Sequence, residues 1–115
     1  FRRVLFRSNI PIDQGSDFAS EVTVEGSDGI VFNLTGYTAR GQIRKTYTST
    51  SKISFTTLIN NPSAGKIMIS LPAATTASMK PGRYVYDIEV VQTGTGKVTR
   101  VVEGQVEVNP RVTRL

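Results

Sequence analysis

Cysteine, histidine and tryptophan are all absent from the 115 residues. Without cysteine there is no disulfide framework and no thiolate chemistry. Without histidine the commonest general base is missing, and the two absences together exclude the zinc ligand sets built from His or Cys. No apolar run approaches the roughly 20 residues that a bilayer-spanning helix needs. The first residues mix arginines with a few apolar side chains and lack the sustained apolar stretch of a signal peptide. Gly94-Thr95-Gly96-Lys97 falls short of the full phosphate-loop spacing and no helical pattern follows it, so it reads as a hairpin turn.

What is present fits one folded domain. Hydrophobic residues make up 38% of the chain and charged residues 20%, which is ordinary for a globular protein and too apolar for disorder. The net charge is +5. Arg2, Arg3 and Arg7 supply three of those charges before residue 9, so the body of the chain is nearly balanced. The high isoelectric point is therefore weak evidence for a nucleic-acid partner.

The patterning is that of β structure. The stretch Met79 to Val91 opens on a Pro81-Gly82 turn and then alternates. Tyr84, Tyr86, Ile88 and Val90 fall on one face, and Val85, Asp87 and Glu89 on the other. A period of two with one apolar face is a half-buried strand. Similar alternation is found at 18–25, 37–45, 66–71 and 98–109. Asn9 to Ile12 reads as a short edge strand, because Pro11 has no N–H to give to a ladder. Ile30 to Asn33 reads as a further short strand after an Asp28-Gly29 hairpin signal, and 55–60 pairs with 66–71 as a hairpin. Small inward residues at Ala39 and Gly41 leave room for a large neighbour such as Tyr84 or Phe18. Pro72 to Met79 is the one helix candidate, with Ala73, Ala74, Ala77 and Met79 inward; it is too short to be stable alone. Turn signals every 8–12 residues argue for a sandwich. The expected fold is an all-β, antiparallel immunoglobulin-like β-sandwich of about seven or eight strands with one short crossover helix. Its core is expected around Phe18, Tyr37, Ile43, Ile67, Ile69, Tyr84, Tyr86, Ile88 and Val106.

The expected organisation is a flexible or foreign basic lead over 1–8, the sandwich over 9–110 and a tail over 111–115. The lead has a second reading, a basic arm that touches an acidic partner. Tyr84 also has two: a tyrosine corner whose hydroxyl bonds backbone near the crossover, or an ordinary core aromatic with its hydroxyl at the rim.

Chemistry is sparse. The acids sit in turns (Asp13, Asp17, Asp28) or on outward strand faces (Glu21, Glu25, Asp87, Glu89, Glu103, Glu107), where solvated carboxylates are the rule. No calcium-loop spacing joins the three turn aspartates. Arg40, Arg44, Lys45, Arg83 and Arg100, with Tyr47, could form a basic face for single strands; alternating cations also simply blunt strand edges. No catalytic residue, cofactor or metal ligand is expected. The Ser/Thr-rich stretch 47–54 reads as a mobile end loop. With the tails it offers the contact candidates Tyr47, Lys52, Arg111 and Arg114.

Several segments in order carry a family resemblance: Gln14-Gly15-Ser16-Asp17-Phe18, Phe32 to Arg44, Pro62-Ser63-Ala64-Gly65-Lys66, Met79 to Ile88, and Arg100-Val101-Val102-Glu103-Gly104. Together they resemble small immunoglobulin-like virion structural proteins of tailed bacteriophages and are similar to the N-terminal domain of phage baseplate upper proteins. The likeness covers roughly residues 9–114 and rests on turns and core aromatics. It implies a non-enzymatic structural or adapter module of a tail, baseplate, neck or capsid surface, located in the virion and assembled in the host cytoplasm. Its implied partners are other virion proteins and, by oligomerisation, further copies of itself. No nucleic acid, membrane or small-molecule substrate is expected. The same fold would also serve as a module of a bacterial surface adhesin or pilus, at the cell surface. A carbohydrate-binding module would need more exposed rings than Tyr47.

Overall fold

The computed structural model describes residues 6–26 and 29–113. It is an all-β sandwich of two sheets. In chain order the strands are β1 (Phe6–Arg7), β2 (Ile10–Asp13), β3 (Phe18–Thr23), β4 (Tyr37–Arg44), β5 (Ile53–Ser54), β6 (Thr56–Asn61) and β7 (Lys66–Leu71). A short helix α1 (Ala73–Ser78) precedes the two long strands β8 (Gly82–Gln92) and β9 (Val98–Asn109). One sheet runs β1-β9-β8-β4-β5 with β2 also on β9, and the other runs β3-β7-β6. Counting two-residue pieces, there are nine strands among the described residues, against the seven or eight expected.

The apolar faces of the two sheets meet in one core. Ile43, Ile67, Ile69, Tyr86, Ile88 and Val106 are buried in it, while Phe18, Tyr37 and Tyr84 are half-buried at its rim. Phe55 is buried between β5 and β6, where the chain leaves one sheet for the other. Its ring packs edge-on against Tyr86 at 6.0 Å and tilts over Phe18 at 6.3 Å. It also fills the space above Gly41, where an added Cβ would come within 3.1 Å of it. The large neighbour over the small face of β4 is therefore Phe55, in place of Tyr84 or Phe18. A strand that switches sheets delivers its pivot residue into the middle of the core.

Two irregularities shape the second half of the chain. The β8–β9 register slips between Ile88 and Glu89, so β9 carries one extra residue there. Val101 and Val102 are consequently both fully buried, in successive positions where strict alternation would expose one. At the β6–β7 connection, Gly65 takes φ +67°, and a Cβ there would meet the carbonyl oxygens of Phe32 and Val24 at 2.8 Å. Both the left-handed backbone and the close approach call for glycine.

The structure differs from the expectation in five places. First, β1 and β2 pair with β9 in parallel, so the sandwich is not wholly antiparallel. Residues 6–8 of the expected lead thereby join the sheet, while 1–5 lie outside the described residues. Second, no strand forms over Ile30–Asn33. One bridge joins Glu25 to Val31, and the chain then veers off as Leu34 N–H donates to the Pro62 carbonyl. Third, the stretch 47–54 is tied down. Thr46 and Ser49 bond each other, and Ile53–Ser54 form β5 against β4. Fourth, the helix turns Thr76 and not Ala74 or Ala77 inward; Thr76 is fully buried. Its hydroxyl accepts from Gly15 N–H at 3.1 Å and lies 2.8 Å from the Ser16 carbonyl oxygen. Those bonds to the 13–17 turn decide the helix's rotation, because a buried hydroxyl needs partners. Fifth, Arg111 is tied down even though it sits in the expected tail. Its N–H donates to the Gln14 side chain and its guanidinium lies against Gly15. Arg114 lies outside the described residues.

Candidate functional site

The strand registers gather one set of loops at one pole. β4 ends at Arg44 opposite Val85, β8 begins at Gly82 opposite Val108, and β2 ends at Asp13 opposite Asn109. The loop 45–52, the turn 13–17, α1 and the chain after β9 therefore share this end. Three of the four contact candidates, Tyr47, Lys52 and Arg111, are brought to it from segments more than fifty residues apart.

This pole is basic. Arg44, Lys45, Lys52, Lys80, Arg83 and Arg111 lie on it, against Asp13, Asp17 and Glu107. Two of the three acids are engaged within the fold. Asp17 accepts from Ala73 N–H at 2.7 Å at the start of α1, a favourable place for a carboxylate. Asp13 accepts from the Asn109 side chain at 3.4 Å. The aromatic element is Tyr47, whose side chain stands in solvent at 78% exposure. Beside it Lys45 lies over the Tyr84 ring at 4.7 Å and donates to the Arg83 carbonyl at 2.9 Å. The Tyr84 hydroxyl in turn donates to the Lys80 carbonyl at 2.6 Å. A tyrosine near the start of this strand, bonded to backbone four residues upstream, is the tyrosine-corner arrangement of immunoglobulin-like sandwiches. It staples the crossover to the pole.

From Tyr47 a shallow groove of about 400 Å³ runs across the outer face of β4, β8 and β9. Its floor alternates in charge. Arg40 pairs with Glu89 at 2.8 Å, and Arg100 lies 4.0 Å from Asp87 and 3.8 Å from Glu103. Arg44 donates to the Ser49 carbonyl at 2.5 Å and to Gln42 at 3.0 Å, which props the loop bearing Tyr47. Burial pushes the Asp87 carboxyl above the usual carboxylate range. Glu89 and Glu103 add to the shift, and Arg100 and Arg44 oppose it. The outward face of β8 is thus a half-buried ion-pair network, where simple solvation was expected. The cations of the expected basic face are divided: Arg40 and Arg100 pair with acids in the groove, Lys45 and Arg83 belong to the pole, and Arg44 stands where groove and pole meet. No continuous positive stripe results. Among the described residues, no group of three or more metal-ligating side chains converges.

Sequence reasoning missed Ser8 and Thr76 as structural anchors. Neither carries a periodic signal, since each acts through hydrogen bonds to residues 60 to 78 positions away.

No family model matches the sequence, and no curated protein is significantly similar to it. Solved structures do resemble the fold. InlP of Listeria monocytogenes superposes with a TM-score of 0.55 at 17% identity, over 93% of this chain and 28% of the Listeria chain. A family 123 glycoside hydrolase from Clostridium perfringens gives a TM-score of 0.42 at 16% identity, over 95% of this chain and 24% of its own. AggA, the major subunit of aggregative adherence fimbriae type I from Escherichia coli, gives 0.37 at 11% identity, over 89% and 90%. At these identities the likeness to InlP concerns the fold alone, and this chain spans about a quarter of the first two proteins.

Proposed function

We propose that the chain is a non-enzymatic adapter module of a tailed-phage particle, working through protein–protein contacts made at the basic pole. The phage setting comes from the sequence resemblance. The observation that supports the mode of action is the convergence of Tyr47, Lys52 and Arg111 on one end of a sandwich with a single continuous core. Such a body is stiff along its strands, so a load or a docking partner at one pole is transmitted without rearrangement. The pole combines what a protein interface uses at its centre and rim: a projecting tyrosine, arginines, and lysines around them. Its charge favours an acidic partner surface and would speed encounter with it.

The test is photo-cross-linking in intact particles from a photoreactive residue at position 47, with a second at Glu25 on the opposite pole as control. The expected result is a defined adduct with another particle protein from position 47 and none from position 25. Absence of the chain from purified particles would remove the phage setting. Equal labelling from both positions would remove the pole. Genes for terminase, portal and tail beside this one would agree with the reading; genes for secretion and cell-wall anchoring would favour a surface adhesin or pilus module.

A further inference from the structure

Each sheet ends in strands whose outer backbone groups face away from the sheet, and proteins normally blunt such edges. Most of them are blunted here. β2 carries Pro11, which has no N–H, and β5 is only two residues long. β6 has an extra residue between Leu58 and Asn61, and its Thr57 hydroxyl donates to the Ala39 carbonyl of β4 at 2.7 Å, closing that corner. β3 differs. It pairs with β7 in unbroken register over six residues. It contains no proline, lysine or bulge, and its backbone makes no hydrogen bond except to β7 among the described residues. Its single charge, Glu21, is already held by Asn60 at 2.8 Å and Lys66 at 3.4 Å.

We propose that β3 is a strand-addition edge whose occupant is the β3 of a second copy of this chain, giving a two-fold dimer with a continuous six-stranded sheet. This surface lies along the flank of the sandwich and is separate from the basic pole. Side-chain alternation limits the antiparallel registers that keep like faces together. Centring the two-fold axis on Glu21 would set like charges opposite each other, which is destabilising. Centring it on Ser20 places Ala19 opposite the partner's Glu21 and Phe18 opposite the partner's Val22. The outer face then meets without repulsion, and on the inner face a central Ser20–Ser20 pair is flanked on each side by Phe18 against Val22. Small side chains at Ala19 and Ser20 let the backbones approach. A two-fold contact of this kind is self-complementary and closes, so it gives a dimer and not a fibre.

The absence of cysteine makes the test clean. In Ser20→Cys the two thiols would face each other across the axis. Antiparallel partners have Cα atoms about 4.5–5.5 Å apart, within the span of a disulfide. Mild oxidation of the full chain should give a single disulfide-linked dimer on a non-reducing gel. Sedimentation equilibrium should show a concentration-dependent dimer in the cysteine-free protein. Ala19 is exposed, so charge can be added there without disturbing the fold. Ala19→Glu should weaken the dimer by about fivefold, by facing Glu21 of the second copy, and Ala19→Lys should tighten it by a similar factor. Circular dichroism of both variants should match the parent. A chain that stays monomeric at the highest soluble concentration overturns the proposal. So does a dimer indifferent to both charges at position 19, or one that does not cross-link through position 20.

Discussion

The Tyr86 hydroxyl donates a 2.6 Å hydrogen bond to the carbonyl oxygen of Ser8, across 78 residues of sequence. The bond passes over Gly104, the cross-strand partner of Tyr86, where a Cβ would lie 1.8 Å from that same oxygen. A bare Cα on β9 makes the hollow, the Ser8 carbonyl between β1 and β2 occupies it, and the tyrosine satisfies that carbonyl. Gly104→Ala should therefore displace the Ser8 backbone and destabilise the fold by about 1–3 kcal/mol. Tyr86→Phe should cost about 1–3 kcal/mol, because it leaves the oxygen without its donor. Chemical denaturation of both variants and of the double mutant checks this, and the two losses should be less than additive if they act on one contact.

The same burial gives an alkaline signature. It pushes the Tyr86 hydroxyl up from 10.0 to about 12, against a smaller opposing effect of its bond to Ser8. The folded state thus holds the proton more tightly than the unfolded state. The contribution is fully present below pH 10 and is lost as the pH rises toward about 12. Melting temperature should fall across that window in the parent and fall less in Tyr86→Phe, read by calorimetry at matched ionic strength.

Tyr84→Phe removes the donor to the Lys80 carbonyl and leaves the ring beneath Lys45. The expected loss is about 1 kcal/mol. A larger loss in Tyr84→Leu would report the added cation–π contact and ring packing. Urea midpoints of the two variants separate the hydroxyl from the ring.

Asp87 has the opposite sign to a stabilising ion pair. Its raised affinity for a proton means that the ionised form is disfavoured in the folded state, mainly by burial. Stability is then greatest while the carboxyl is protonated and is reduced once the pH rises through its folded value. Asp87→Asn should raise the melting temperature at pH 7 and have little effect near pH 3. A thermal melt series over that range is the check. A drop at pH 7 would mean that attraction to Arg100 outweighs burial.

The strands with one clean apolar face were legible without any coordinates. Ile67, Ile69 and Leu71 alternate with the outward Met68 and Ser70, and Tyr86, Ile88 and Val90 with Asp87 and Glu89; all six are buried. Alternation is a local property, and a half-buried strand has to show it. The extra residue in β9 was not legible, because Val101 and Val102 look like a continuation of the same apolar run. The Ile30–Asn33 segment misled for the converse reason. Its residues favour strands, but the backbone of Val24 already serves Gly65 and Phe32, and the ladder goes no further.

At the pole the residues carried only part of the information. Tyr47, Lys52 and Arg111 could be named as contact candidates from the polarity and position of their segments. Their adjacency could not, since it follows from the registers of β2, β4, β8 and β9. The groove was equally hidden, because Arg40, Glu89 and Arg100 become partners only when three strands align.

The residues by themselves determined the class of fold, the positions of most strands and turns, and the exclusion of thiol and imidazole chemistry and of zinc sites built from His or Cys. These depend on composition and on periodicities of a few residues, which need no partner to be read. The tertiary structure alone decided that residues 6–8 enter the sheet in parallel and that Phe55 is the pivot of the core. It also decided that Thr76 faces inward and that, among the described residues, the β3 backbone pairs with β7 alone. Each of those rests on a contact between distant segments, and its free energy exists only once both are held in place.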